Sequence, residues 1–292
     1  MTTRTRLRQV RARVAELVRV ARHRDVGAAD TPVPAGMSEN RSRSLLPDRE
    51  LWRVEERWRG RFDPPPVSYC TVRDWAESRE ALGALAKANP DMKNLQRSWA
   101  LKAILGSVEP GGRLVEIGAG EPLVAGTLAR LGYRVTVVDP YDGSGNGPRS
   151  YRSFRRAYPD LSFIRERFPP AEALEPADGV YSISVLEHLG PAAEDVARAA
   201  RELVAPTGGV CVHAVDHVLV GWGAEEHRAR LNRIAAASGI EATALHEAVA
   251  RLEGDPDTYF VSAEAHETWR GSLAYDEYPM RRIASVNLFA RG

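Results

Sequence analysis

Cysteine is nearly missing from this sequence. Cys70 and Cys211 are the two present, and neither has a Cys or His nearby at metal-ligand spacing. That excludes a disulfide framework and a cysteine-built metal centre, and it suits buried or free thiols in a reducing compartment. An excess of either charge is also missing: the formal net charge is +1 over 292 residues, so there is no overall pull toward nucleic acid. No apolar run reaches the length of a membrane span, and the N-terminus has no signal-peptide hydrophobic stretch. Internal repeats and long low-complexity tracts are absent too. A cytoplasmic enzyme is the default expectation, in a chain long enough to bury a substantial core as one large domain or one domain with an added segment.

The stretch that organises the rest is Arg113 to Gly120, R-L-V-E-I-G-A-G, followed by Glu121 and Pro122. Leu114, Val115 and Ile117 read as a short buried strand running into a glycine turn. Gly118 and Gly120 let the backbone turn tightly and approach a ligand without Cβ atoms in the way. Pro122 suits the first position of a helix, where its missing N–H has no intrahelical partner to lose. The free N–H groups there face the strand end, where open α/β sheets bind ligands. A nicotinamide-binding fingerprint needs a third glycine three residues after Gly120, and that position is Leu123. Glu116, just ahead of the turn, suits a ligand with a positive amino group better than a pyrophosphate.

This E-x-G-x-G arrangement resembles the first motif of class I S-adenosylmethionine-dependent methyltransferases. The second strand, Val135 to Val138, ends at Asp139, about 20 residues past the turn, where an acid can accept hydrogen bonds from both ribose hydroxyls. The run D-G-V-Y-S-I-S-V-L-E-H-L, Asp178 to Leu189, resembles the corresponding motif of many small-molecule and sugar methyltransferases. Many members carry another glycine where this chain has Glu121-Pro122. The resemblance covers about Arg113 to Ala290; residues 1 to about 70 match nothing recognisable.

The remaining segments fall around this core. Residues 4 to 24 form a basic amphipathic segment, with Leu7, Val10, Val14, Leu17, Val18 and Ala21 at helical spacing among Arg4, Arg6, Arg8, Arg11, Arg13, Arg19 and Arg22. It suits a helix on an anionic membrane or a partner, or a packing arm in a homodimer. Asp30 to Asn40 is a linker by its Pro, Gly and Ser content, and Asp63-Pro64-Pro65-Pro66 is a second, stiff break. Helices are expected around Leu51 to Trp58, Thr71 to Lys87 and Met92 to Leu105. The expected domains are 1–36, a basic helix and linker; 37–110, a helical segment or substrate cap; and 111–292, the cofactor-binding domain with an acceptor-side addition. Tyr141 to Pro148 reads as a glycine-rich lid. Further strands are expected at Leu161 to Ile164, Gly179 to Val185, Gly208 to Ala214, Tyr259 to Val261 and Ile283 to Ala290. Glu225 to Leu252 reads as two helices, and Ser262 caps another that runs to Arg270.

Strands alternating with helices imply a parallel sheet covered on both faces. The resemblance makes it a Rossmann-like, seven-stranded, mostly parallel sheet with an antiparallel last strand, its final pair a hairpin at the edge, plus an N-terminal helical extension. It implies S-adenosylmethionine as cofactor, held by Glu116, Gly118, Ala119, Gly120, Asp139 and Pro140, with Glu166 against the adenine and Val185 and Leu186 against the methionine portion. It also makes Lys93, Gln96 and Arg97 candidates for the substrate wall.

The expected reaction is O-methylation of a hydroxyl on a sugar, glycan or secondary metabolite. Such a hydroxyl needs a base, and His serves near neutral pH. His188 is the first candidate. His217 is the second, with Asp216 as its orienter. His213 belongs to the core, and Asp178 cements a loop. Glu187, His188 and Asp216 could together hold Mg²⁺, but no spacing demands it and no metal is expected. Val218 to Trp222, Tyr275, Asp276, Glu277 and Tyr278 suit the acceptor side, while Trp269 is expected in the core. The alternatives are an NAD(P)-dependent oxidoreductase, against which Leu123 and Glu116 argue, and a non-catalytic methyltransferase-like scaffold. No N-P-P-Y-type motif follows the fourth strand and no basic stripe marks the core, so nucleic acid is not an expected partner.

Overall fold

A computed structural model of the chain describes residues 46, 48–81, 92–144, 148–149, 151–221, 223–262 and 280–292. Among them, seven strands form one sheet: β1 Val67–Tyr69, β2 Arg113–Ile117, β3 Arg134–Val138, β4 Ser162–Ile164, β5 Gly179–Ile183, β6 Val210–Gly221 and β7 Met280–Arg291. Their order across the sheet is β1-β7-β6-β5-β2-β3-β4. β6, β5, β2, β3 and β4 pair in parallel, whereas β7 runs antiparallel to both β6 and β1. The central strands are buried on both faces, which is why Gly179–Ile183 (G-V-Y-S-I) shows no polar alternation.

Helices cover both faces. On one lie α1 Asp48–Trp58, α3 Met92–Ser107 and α4 Leu123–Arg130, which share a core with Leu114, Tyr181 and Val212. On the other lie α6 Ala192–Val204, α7 Ala224–Ala237 and α8 Ala242–Gly254, packed on Val115, Val180 and Cys211. α6 shows why: Ala193, Val196, Ala197, Ala200 and Val204 recur at helical spacing and are all buried. Between β1 and α3, α2 Val72–Ala81 opens on a reciprocal cap. The Thr71 N–H donates to Asp74 Oδ2 (2.9 Å), and the Asp74 N–H donates to Thr71 Oγ1 (3.1 Å). α5, Tyr151–Ala157, precedes β4.

The sheet edge differs from the expected terminal hairpin. Its last position is filled by β1, which comes from ahead of the glycine turn and pairs Val67 with Leu288 and Tyr69 with Val286. Phe260 makes only an isolated bridge to Ala284, so Tyr259 to Val261 is not a strand. The chain after α8 instead ties β1 down. The Tyr69 hydroxyl donates to Asp255 Oδ2 (2.8 Å), and the Tyr259 N–H donates to the Cys70 carbonyl (3.0 Å). Residues expected in a separate 37–110 segment thus supply an edge strand and a core helix to the sheet. β6 and β7 also run longer than expected, to Gly221 and back from Met280. No helix among the described residues is long and apolar enough to cross a membrane. The basic segment 4–24, the Ser262-capped helix, Trp222, Trp269, and Tyr275 to Tyr278 lie outside the described residues, as does the middle of the glycine-rich lid.

Candidate active site

The strand order reverses direction around β2, whose neighbours are β3 and β5. Open α/β sheets bind ligands at the carboxyl ends of strands at such a point. Gly118 and Gly120 stand there with φ of +65° and +57°. A Cβ on Gly118 would lie 2.8 Å from Val185 Cγ1, so the turn from β2 can sit against the end of β5 only without one. Asp139 fixes this turn from β3: its Oδ2 accepts from the Gly120 N–H (2.9 Å) and its Oδ1 from the Tyr141 N–H (2.8 Å). Each oxygen retains a second acceptor position. Pro122 stands one residue before α4, at its N-cap, with its carbonyl accepting from Gly126 (2.9 Å).

Beneath the turn, Glu116 is 3% exposed and its Oε2 has no hydrogen-bond partner. Burial pushes its carboxyl up to about 8, against the pull of the Tyr181 hydroxyl and the Arg97 guanidinium. Arg97, on α3, has its own buried atom without a partner, Nη1. Burial draws it below its ordinary value, yet a guanidinium stays charged. Both line one cavity with Lys93, Gly118, Ala119, Glu121, Val124 and Ile183. Its volume is ≈ 20 Å³, enough for one water. A buried carboxyl and a guanidinium with orphaned atoms on one small cavity suit a ligand end that carries both an ammonium and a carboxylate.

Farther along the sheet, Asp216 and His217 leave β6 on opposite faces, as successive strand residues do. Asp216 meets α3 and β5: Gln96 Nε2 donates to its Oδ1 (2.7 Å) and Ser184 Oγ to its Oδ2 (3.1 Å). Ser184 reaches it from a left-handed conformation (φ +55°) at the end of β5. The Asp216 N–H donates to Glu187 Oε1 (3.1 Å). Glu187 is 2% exposed, and burial followed by the Asp216 charge pushes its carboxyl up to about 8. His188 follows it in a single 3-10 turn, half exposed, with Nε2 3.9 Å from Glu187 Oε1. Partial burial holds its imidazole below the ordinary value against the opposing Asp216 charge, and Lys93 and Arg230 add to the lowering. It is therefore neutral near pH 7 and able to accept a proton.

The site thus departs from the sequence reading at several residues. His217 is 1% exposed on the α7 face, and burial with His227 and Arg228 pushes it down to about 4. Asp216 does not orient it and instead belongs with His188. Leu186 is fully buried in the core. Glu166 is exposed and caps its own loop, its Oε2 accepting from the Ala171 N–H (2.7 Å). Pro140 and Val185 are half-buried beside the turn. His213 is in the core, against Ser182 Oγ (2.9 Å), and Asp178 Oδ2 accepts from the Arg113 N–H (2.7 Å), as expected of both. The cofactor-side role open to Arg97 was missed, and its signal is a cation one turn into a helix otherwise buried along most of its length. Near Asp139, a ring cluster of Tyr141, Tyr151, Phe154 and Phe163 also went unread.

No protein-family model and no curated protein matches this chain. Solved structures similar to it include an S-adenosylmethionine-dependent methyltransferase from Mesorhizobium loti (19% identity, TM-score 0.40, covering 68% of this chain and 98% of that one). Another is phosphoethanolamine N-methyltransferase 2 of Haemonchus contortus, in complex with S-adenosylmethionine (19%, 0.42, 67% and 51%). A third is precorrin-6y C5,15-methyltransferase from Geobacter metallireducens (16%, 0.36, 67% and 88%). At these identities and scores they carry no argument about acceptor or residue roles, and the fold rests on the strand order seen in this chain. That order, with the glycine turn at its reversal, makes a Rossmann-like, mostly parallel seven-stranded sheet, the fold that the sequence resemblance to class I S-adenosylmethionine-dependent methyltransferases implies.

Proposed function

We propose that this chain is an S-adenosylmethionine-dependent O-methyltransferase acting on a hydroxyl of a sugar, glycan or secondary metabolite. The observation that carries the cofactor is the pair of orphaned atoms on one cavity, Oε2 of the buried Glu116 carboxyl and Nη1 of the Arg97 guanidinium. They suit the α-ammonium and α-carboxylate of a methionine end, while the spare acceptor positions of Asp139 suit ribose hydroxyls. Lys93 and Glu121, both exposed at the mouth, must swing aside to admit it. The bound cofactor supplies an activated methyl on a sulfonium, a built-in leaving group.

The chain's own work is alignment and proton handling. His188, neutral and half exposed at the end of β5, takes the acceptor hydroxyl's proton. Asp216, fixed by Gln96 and Ser184, stabilises the imidazolium that results. The test is transfer of labelled methyl groups from S-adenosylmethionine to fractionated host extract. Label in the glycan or small-molecule fraction is expected; label confined to protein or nucleic acid would overturn the acceptor class.

A further inference from the structure

Beside His188, Glu187 takes no part in the proton handling, and Asp216 keeps a second acceptor position on each oxygen. Glu187 and Asp216 offer carboxylate oxygens within 4.8 Å of one another. Among the described residues, no Lys or Arg forms an ion pair with either. Two oxygens here are buried without a hydrogen-bond partner: Glu187 Oε2, on a side chain 2% exposed, and Gln96 Oε1, on one 0% exposed. The Gln96 amide is already against Asp216, through Nε2 at 2.7 Å. Ser184 has one hydroxyl proton for the two acids and donates it to Asp216. Buried oxygens left this way are costly unless something fills their lone pairs.

We propose that Glu187 and Asp216 hold a divalent cation, with the side-chain oxygen of Gln96 as a third donor. An all-oxygen set of two carboxylates and an amide suits Mg²⁺ or Mn²⁺ and is too hard for Cu(I) or a thiolate-seeking ion. Such a set leaves positions open toward the crevice for water or an acceptor's oxygens. His188, whose Nε2 is 3.9 Å from Glu187, stays free for the acceptor's proton. A hydroxyl bound to the cation would lose that proton more easily, so acceptors with two adjacent oxygens, able to chelate, are the favoured class. This departs from the sequence expectation of no metal; the cation site does not depend on the methyl-transfer reading, whereas the acceptor class rests on it.

The test is Mn²⁺ binding to the full chain freed of metal by a chelator, followed by the electron-paramagnetic signal of free Mn²⁺ without methyl donor or acceptor. One saturable site is expected, weakened at least about tenfold by Asp216→Asn and by Glu187→Gln, judged as a loss of donor groups at a site. His188→Ala keeps it, and Gln96→Glu, which adds a charge, tightens it. Absence of a saturable site in the folded wild-type chain overturns the proposal, whether or not a variant folds. Equal binding in Asp216→Asn, or loss in His188→Ala, overturns the donor set. S-adenosylhomocysteine binding, measured on the same samples, reports on the cofactor reading separately.

Discussion

Glu116→Gln separates the two roles assigned to one buried acid. In the unfolded chain Glu116 releases its proton near its ordinary 4.5, whereas the folded chain holds it up to about 8. Between those values the unfolded state binds fewer protons, so stability falls as pH rises. With about 1.4 kcal/mol for each pH unit of the gap, the loss due to this residue reaches about 5 kcal/mol above pH 8. Glutamine is nearly isosteric and never ionises, so the variant lacks this slope. Urea unfolding at a series of pH values from 5 to 8.5, gives the comparison; the variant lies within about 1 kcal/mol of wild type at the acid end and becomes the more stable chain as pH rises. Cofactor binding moves the other way. An α-ammonium meets an ionised Glu116, so S-adenosylhomocysteine binds wild type more tightly toward pH 8, and the glutamine variant, about equal to wild type at the acid end, falls behind as pH rises. Parallel stability curves for the two chains would refute the buried, proton-holding carboxyl.

Three further outcomes follow from the same geometry. His188→Ala lowers turnover by about a hundredfold or more, the usual contribution of a general base. His217→Ala acts through stability, read as a lower melting temperature; turnover kept by His188→Ala and lost by His217→Ala reverses the assignment. Gly118→Ala places a Cβ 2.8 Å from Val185 Cγ1 at a φ of +65° and costs about 2–4 kcal/mol in strain and overlap, read as a lowered denaturation midpoint, with partial recovery in the Gly118→Ala, Val185→Ala pair. A chain cut to residues 111–292 loses β1 and α3, whose Leu101, Ala103 and Ile104 are fully buried, and does not unfold cooperatively; a sharp two-state transition would restore the boundary at residue 110.

The central strands are legible in the sequence because each is a short apolar run closed by a glycine or an acid, as in Leu114 to Ile117 before Gly118 and Val135 to Val138 before Asp139. The cofactor turn is legible for the same reason: glycine spacing and the acid ahead of it are local. β1 is not, since three residues after a proline run carry too little periodicity to mark a strand, and only pairing with Leu288 and Val286 makes them one. The mistaken link between Asp216 and His217 has a simple cause. With β6 taken to end at Ala214, the two residues read as a loop, free to point together; a strand running to Gly221 forces them apart. Arg97, Gln96 and Lys93 share α3, where helical spacing does not say which one faces the cavity and which the acid. That is set by the angle at which α3 lies over β2, β5 and β6, a property of packing rather than of local sequence.

Calorimetric titration of S-adenosylhomocysteine into the wild-type chain and Arg97→Ala, with NAD as the control ligand, tests the central claim most directly. One S-adenosylhomocysteine per chain, no NAD, and affinity weakened at least about tenfold in Arg97→Ala are predicted, the loss being that of one charge-assisted contact. Equal affinity in the two chains, or binding of NAD in its place, would contradict the methionine-end site between Glu116 and Arg97.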